Sequence, residues 1–125
     1  MRSSEEWHRQ AEYDIDTAEY MLRGGRRLYA VFMCHLALEK ALKGLYQVKL
    51  GKTPPKTHNL GYLLEQTGVR APQATLEFLV RLNEANIAAR YPEDLAATQK
   101  AYPEPLVRTI LGQAKEAMAW IRKQS

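Results

Sequence analysis

The sequence predicts an all-α fold, an antiparallel up-and-down bundle of four long helices with one additional short helix. Apolar residues recur at steps of three or four, and no segment alternates with period two for long enough to form a strand. Glycine and proline fall mainly between these periodic segments. With 125 residues, 46% of them hydrophobic, the chain has the size and composition of a single domain covering 1–125.

The first two helices are marked by their caps. Ser3 and Glu6 form a capping box, and the Gly24-Gly25 pair ends the first helix. Its apolar stripe consists of Trp7, Ala11, Ile15, Ala18 and Leu22. The second helix is predicted from about Arg26 to Leu50, and Gly51 ends it. Because apolar side chains occupy nearly every face of this helix, we expect it to lie at the centre of the bundle.

A short helix is predicted from Leu60 to about Gln66, with Asn59 as its N-cap and Gly68 as its stop. The next helix is predicted from Pro72 or Gln73 to about Ala89. Its expected core stripe consists of Leu76, Leu79, Val80, Asn83 and Ile87.

The segment from Arg90 to Tyr102 is predicted to be a loop, because Pro92 and Pro103 each favour an extended conformation at the preceding tyrosine. Long connections in small domains are uncommon and are often functional. The last helix is predicted to open at Pro103 or Pro105 and to continue to Lys123.

Composition excludes several classes of protein. Cys34 is the only cysteine, so an internal disulfide is impossible, and no Cys/His group has the spacing of a zinc site. We therefore expect neither a metal nor another cofactor. The first residues lack the apolar region of a signal peptide, and no apolar stretch is long enough to span a bilayer, so we expect a soluble cytoplasmic protein without a membrane partner. The net charge of +4 permits a polyanionic partner but does not require one.

Helix two carries His35, Glu39 and Lys43 at successive i,i+4 positions, so the three side chains share one stripe. One interpretation is a polar constellation that faces a pocket, where Lys43 binds a phosphate. The other is a structural ladder of hydrogen bonds, in which Glu39 and Lys43 form an ion pair in the favourable orientation.

Two further positions carry groups suited to nucleotide binding. His58 precedes the short helix, where its ring could bind a phosphate or ribose, or could simply tie the loop to the bundle. In the long loop, the guanidinium of Arg90 suits a phosphate and the ring of Tyr91 offers a stacking face for a base. The structural alternative is that Arg90 binds Glu93, Asp94 or helix carbonyls and only fixes the loop.

Three blocks of this sequence resemble the HEPN family (higher eukaryotes and prokaryotes nucleotide-binding), in its small stand-alone prokaryotic type. They are the run Tyr29–Leu45, the turn Lys56–Leu60 and the segment Ala89–Pro92, and they occur in the family's order. The matching positions are Glu39, Lys43, His58, Arg90, Tyr91 and Pro92. The resemblance implies a bundle of four or five helices that forms a homodimer and acts beside a minimal nucleotidyltransferase in a toxin–antitoxin-like pair.

The chain departs from the family's ribonucleases in one respect. Those enzymes carry an Arg-x4-6-His motif on a late helix. Here that spacing occurs only between Arg2 and His8, and no histidine follows His58. The resemblance therefore implies a non-catalytic domain that binds a nucleotide or an RNA phosphate through His58, Arg90, Tyr91 and Lys43. The first alternative is a metal-independent RNA-cleaving toxin in which His58 acts as general acid or base. The second is a structural interaction module.

Overall fold

The computed structural model describes all 125 residues as six α-helices without a strand, which confirms the all-α prediction. The helices are α1 (Ser4–Arg23), α2 (Arg27–Leu50), α3 (Leu60–Thr67), α4 (Gln73–Arg90), α5 (Leu95–Ala101) and α6 (Glu104–Lys123). Ser3 caps α1 by accepting the backbone N–H of Glu6, and Asn59 caps α3 by accepting that of Tyr62. None of the helices is long and apolar enough to cross a membrane.

Helix α2 is the centre of the molecule, as its all-round apolar pattern predicts. α1, α3, α4 and α6 all pack against it, and half of its 24 residues are buried. Helix α1 runs antiparallel to α2, because Trp7 lies opposite Gly44 and Asp14 pairs with Lys40. Helix α4 is also antiparallel to α2, because Asn83 bonds to His35 and Arg90 lies over Phe32. Ion pairs from Glu5 to Arg122 and from Glu19 to Lys115 make α1 and α6 antiparallel as well.

Small residues allow α1 and α2 to approach closely. A methyl group on Gly44 would lie 3.1 Å from Cβ of Trp7 and 3.4 Å from the backbone oxygen of Ser4. One turn away, the ammonium of Lys40 lies 2.9 Å from the buried carboxylate of Asp14. This crossing is the most extensive helix contact in the fold.

The predicted loop from Arg90 to Tyr102 contains α5, so the fold has two short helices rather than one. Asp94 caps α5 by accepting the backbone N–H of Ala97 at 3.0 Å. No residue of α5 is buried, and the helix therefore has no apolar stripe from which it could be predicted.

The predicted core stripe of α4 is wrong at two positions. Val80 is 51% exposed and Ile87 is 65% exposed. The residues that α4 buries are Phe78, Leu79, Leu82, Ala85, Asn86 and Ala89. Helix α4 carries two adjacent apolar stripes, and periodicity does not decide which of them faces the core. Only the position of α2 decides it.

Helices α4 and α6 both pack on α2 but make little contact with each other. Between them lies a cavity of about 280 Å³, lined among others by Phe78, Arg81, Tyr102 and Ile110. The bundle is therefore open along this edge, on the side of α4 away from His58.

Candidate functional site

Most of the polar residues singled out in the sequence lie along the face of α2 that α4 and the loop before α3 cover. We call this group the polar seam. It consists of His35, Glu39 and Lys43 on α2, His58 and Asn59 before α3, and Asn83 and Arg90 on α4. The spacing of the three α2 residues produces the seam, because successive i,i+4 side chains lie above one another on one stripe.

Glu39 is the central acceptor of the seam, and its side chain is only 7% exposed. One carboxylate oxygen, Oε1, lies 2.8 Å from Nδ1 of His58, and the other, Oε2, lies 3.0 Å from Nζ of Lys43. A carboxylate only accepts, so Nδ1 of His58 carries a proton and its Nε2 points away from Glu39. Both oxygens of the buried carboxylate are thus satisfied, one by a cation.

Lys43 belongs to this ladder more than to an open binding surface. Its side chain is 11% exposed, and its ammonium lies 5.9 Å from the centre of the Trp7 ring. Its ammonium is held by the carboxylate of Glu39 at 3.0 Å. Of the two roles that the sequence suggests for Lys43, the geometry supports the structural one.

His35 does not join Glu39 and instead bonds across to α4. Its Nε2 lies 3.1 Å from Oδ1 of Asn83, which also accepts the backbone N–H of Leu60. Nδ2 of Asn83 donates to Oδ1 of Asn59, and this bond fixes the orientation of the Asn83 amide. Nε2 of His35 is therefore the donor. Burial lowers the pKa of His35, against a smaller opposite effect of the Asn83 hydrogen bond, so the ring is neutral at pH 7.

Arg90 lies at the other end of the seam and has no carboxylate partner. Its guanidinium carbon lies 4.9 Å from the centre of the Phe32 ring and 5.7 Å from that of Tyr91. Asp94, one of the two acids that the sequence offers as a partner, caps α5 instead. The cation is thus oriented by two aromatic rings, while its N–H groups remain available.

The structure places Arg90 and His58 on one surface but not in contact. Phe32, under Arg90, and Glu39, behind His58, are seven residues apart on α2, which corresponds to roughly 10 Å along the helix axis. Tyr91 is 72% exposed beside Arg90, and the His58 side chain is 69% exposed. A ligand that touches both ends must be about as long as a nucleotide.

The Arg2 and His8 pair does not form a site. Arg2 lies over the ring of Trp7 at 4.7 Å, whereas His8 is buried in the crossing of α1 and α2. Burial lowers the pKa of His8, and the positive charge of Arg122 lowers it further by a smaller effect. No three His, Cys, Asp or Glu side chains come together in a way that could hold a metal ion.

Sequence reasoning missed two members of this surface, Phe32 and Asn83, as functional residues. Phe32 lies on the same face of α2 as Glu39, seven residues away, and that spacing was an available signal. Asn83 was assigned to an apolar stripe, although Asn83, Asn86 and Arg90 recur at i, i+3 and i+7. Of these three residues, only Asn83 makes hydrogen bonds across to α2 and α3, so the spacing marks the face but does not identify the bonded residue.

Comparison with known proteins identifies the family of this chain. The family model described as the HEPN domain matches residues 4–124. This chain belongs to the HEPN family. The match confirms the resemblance that the three sequence blocks suggest, and it extends over nearly the whole chain.

Two solved structures share the fold of this HEPN domain. The crystal structure of ST0689, an archaeal HEPN homologue, is 26% identical with a TM-score of 0.81, over 99% of this chain and 98% of that chain. The crystal structure of TT1696 from Thermus thermophilus is 24% identical with a TM-score of 0.86, over the full length of both chains. None of the curated proteins matches this chain.

Proposed function

We propose that this HEPN domain is a non-catalytic module that binds a nucleotide or an RNA phosphate through Arg90, Tyr91 and His58. The observation that carries the proposal is the unpaired guanidinium of Arg90, held over Phe32 and Tyr91. Aromatic stacking restricts the side chain before a ligand arrives, which lowers the entropic cost of binding. A guanidinium with free N–H groups is well suited to the paired oxygens of a phosphate.

Each end of the seam contributes a different contact. Tyr91 offers exposed ring surface on which a base can stack. At the other end, Glu39 holds Nδ1 of His58, so the outward Nε2 of the neutral ring accepts a hydrogen bond from a ribose hydroxyl or a base N–H. In the protonated ring, the same nitrogen donates to a phosphate oxygen. These contacts support a ligand with phosphate, sugar and base.

Binding of a short fluorescently labelled single-stranded RNA and of adenine nucleotides tests the proposal. We expect Arg90→Ala to weaken binding roughly tenfold and to flatten its salt dependence, because a charge-assisted phosphate contact contributes about 1–3 kcal/mol. Arg81→Ala is the matched control, since Arg81 is an exposed arginine of the same helix that lines the cavity toward α6. A melting temperature that falls in Arg90→Ala while binding is unchanged would favour the structural interaction module.

A second candidate function is metal-independent RNA cleavage with His58 as general acid or base. The 2.8 Å contact between Glu39 and His58 favours it, because a carboxylate that orients an imidazole is a common catalytic arrangement. Phe32 under Arg90 and Glu39 behind His58 are roughly 10 Å apart along α2, which counts against it, since one reacting phosphate would have to contact both ends. Cleavage that His58→Ala abolishes, while Arg2→Ala and His8→Ala preserve it, would establish the enzyme.

We also propose a homodimer and a nucleotidyltransferase partner, as the family resemblance implies. The sequence suggests dimerisation through helix two or the last helix, but four helices already cover α2 within one chain. The exposed stripe of α4 with Val80 and Ile87 supports a contact there instead. Light scattering should give about twice 14.3 kDa for the wild type and a monomer for Val80→Glu/Ile87→Glu. A wild-type monomer at micromolar concentration would contradict the dimer.

Co-purification with a co-expressed nucleotidyltransferase-domain protein tests the proposed partner.

A further inference from the structure

Helix α5 is attached to the domain by few contacts. It has seven residues and none of them is buried. It makes no substantial packing contact with another helix. An isolated helix of this length is unstable in water, so specific interactions at its two ends must hold it in place.

Both ends of α5 are held by hydrogen bonds. Asp94 caps the first turn by accepting the N–H of Ala97. At the other end, Nε of Arg27 donates to the backbone oxygen of Tyr102 at 2.8 Å, and its Nη2 donates to that of Gln99 at 2.9 Å. Arg27 is the first residue of α2, so these two bonds connect α5 to the central helix. The positive charge of Arg27 also interacts favourably with the negative C-terminal end of the α5 dipole.

The attachment of α5 bears directly on the candidate site. Only Pro92 and Glu93 separate Tyr91 from Asp94, the N-cap of α5. Tyr91 is the C-cap that follows α4, and its exposed side chain makes no hydrogen bond. The position of its ring relative to Arg90 therefore depends on what holds the chain on either side.

We propose that Arg27 is a positioning residue, which holds α5 against α2 and thereby fixes Tyr91 beside Arg90. The link between Arg27 and α5 stands independently of any ligand, whereas its effect on binding rests on the proposed function. In this arrangement two residues from the first two turns of α2 act on the same surface. Phe32 supports Arg90 from below, and Arg27 supports Tyr91 through α5.

Hydrogen exchange of the full chain tests the first part of the proposal. In Arg27→Ala, we expect the amides of Thr98 and Tyr102, which close the turns of α5, to exchange at least roughly tenfold faster. Trypsin should also cut faster after Lys100. The melting temperature should change little, because no residue of α5 belongs to the buried core. Arg26→Ala is the matched control, since it removes the same charge from the neighbouring exposed residue.

A second pair of variants loosens α5 without removing a positive charge. Asp94→Ala removes the cap of α5 and should speed exchange in α5 as Arg27→Ala does, whereas Asp94→Asn keeps a capping side chain and should not. Arg27→Lys should restore the protection in part, because lysine keeps the charge but not the two-bond geometry. Unchanged exchange in α5 of Arg27→Ala would overturn the proposal.

Affinity for the same labelled RNA tests the second part. Arg27→Ala should bind about threefold to tenfold more weakly than Arg26→Ala, and Asp94→Ala should bind more weakly than Asp94→Asn. Equal affinities within both pairs, with faster exchange in α5, would overturn the positioning role. If the wild-type chain binds neither RNA nor nucleotide, the proposed function fails, while exchange in α5 still decides whether Arg27 holds this helix.

Discussion

The two covered faces of α2 differ in how they are built. Against α1, the helix presents small residues, and Gly44 allows the two backbones to approach closely. Against α4 and the loop before α3, it presents His35, Glu39 and Lys43, each with a hydrogen-bond partner. The first face combines close packing with an ion pair between Lys40 and Asp14, whereas the second is held mainly by directional bonds between groups that are costly to bury unpaired.

This difference shows where the helix can carry function. A tightly packed face excludes ligands and tolerates few changes in volume. The seam ends at the surface in two places, where His58 and Arg90 remain exposed while their supports on α2 are buried or half-buried. Substitutions at the two exposed ends of the seam should therefore affect binding, whereas those at its buried centre or on the packed face should affect stability.

The largest effect is expected at the centre of the seam. Glu39→Ala leaves the nearly buried ammonium of Lys43 without a counter-charge and should lower the free energy of unfolding by about 3 kcal/mol. Denaturant unfolding measures it. The control is Glu104→Ala in the exposed pair with Arg108, which has the same i,i+4 spacing and should cost less than about 0.5 kcal/mol. Equal effects in the two variants would show that burial adds nothing to the Glu39 pair.

A smaller effect is expected on the packed face. In Gly44→Ala the new methyl group meets Cβ of Trp7 at 3.1 Å, and the strain should lower the free energy of unfolding by about 1–2 kcal/mol. Gly112→Ala on α6 is the control, because nothing lies within 4 Å of its added methyl group. Alanine there should stabilise the chain by about 0.5–1 kcal/mol. If both substitutions stabilise, the α1–α2 crossing is looser than its distances indicate.

The smallest effect concerns pH. Burial lowers the pKa of His35 in the seam and of His8 in the packed crossing below the ordinary value, so the unfolded chain binds protons that the folded chain does not. The stability that these two neutral rings contribute is therefore fully present above about pH 6.5 and is lost as the pH drops below it. Thermal melts should show a lower melting temperature at about pH 5 than at about pH 7.5.

The same melts divide this effect between the two faces. His35→Gln should remove the part of the pH dependence that arises in the seam. His8→Gln should remove the part that arises in the crossing of α1 and α2. A wild-type melting temperature that is constant between these two pH values would contradict the buried, neutral state of both rings.

The sequence alone determined the helical class, the central position of α2, and most of the helix boundaries. Ser3, Asn59 and Gly51 act locally, within a few residues, so their effects can be predicted from the chain itself. The family resemblance likewise depends on local blocks, and it selected His58, Arg90 and Tyr91 as candidates. It could not tell which polar neighbour each of them contacts.

Tertiary structure decided the contacts between residues far apart in the chain. His35 bonds to Asn83 and Glu39 bonds to His58, across 48 and 19 residues, and no helical periodicity encodes those partners. Helix α5 was not predicted because its stability depends on Arg27, more than 70 residues away, and on no apolar stripe of its own. The core face of α4 was chosen between two stripes of similar hydrophobicity by the surface of α2. Local propensity fixes where a helix begins and ends, whereas the burial of polar groups in satisfied pairs is a property of the assembled bundle.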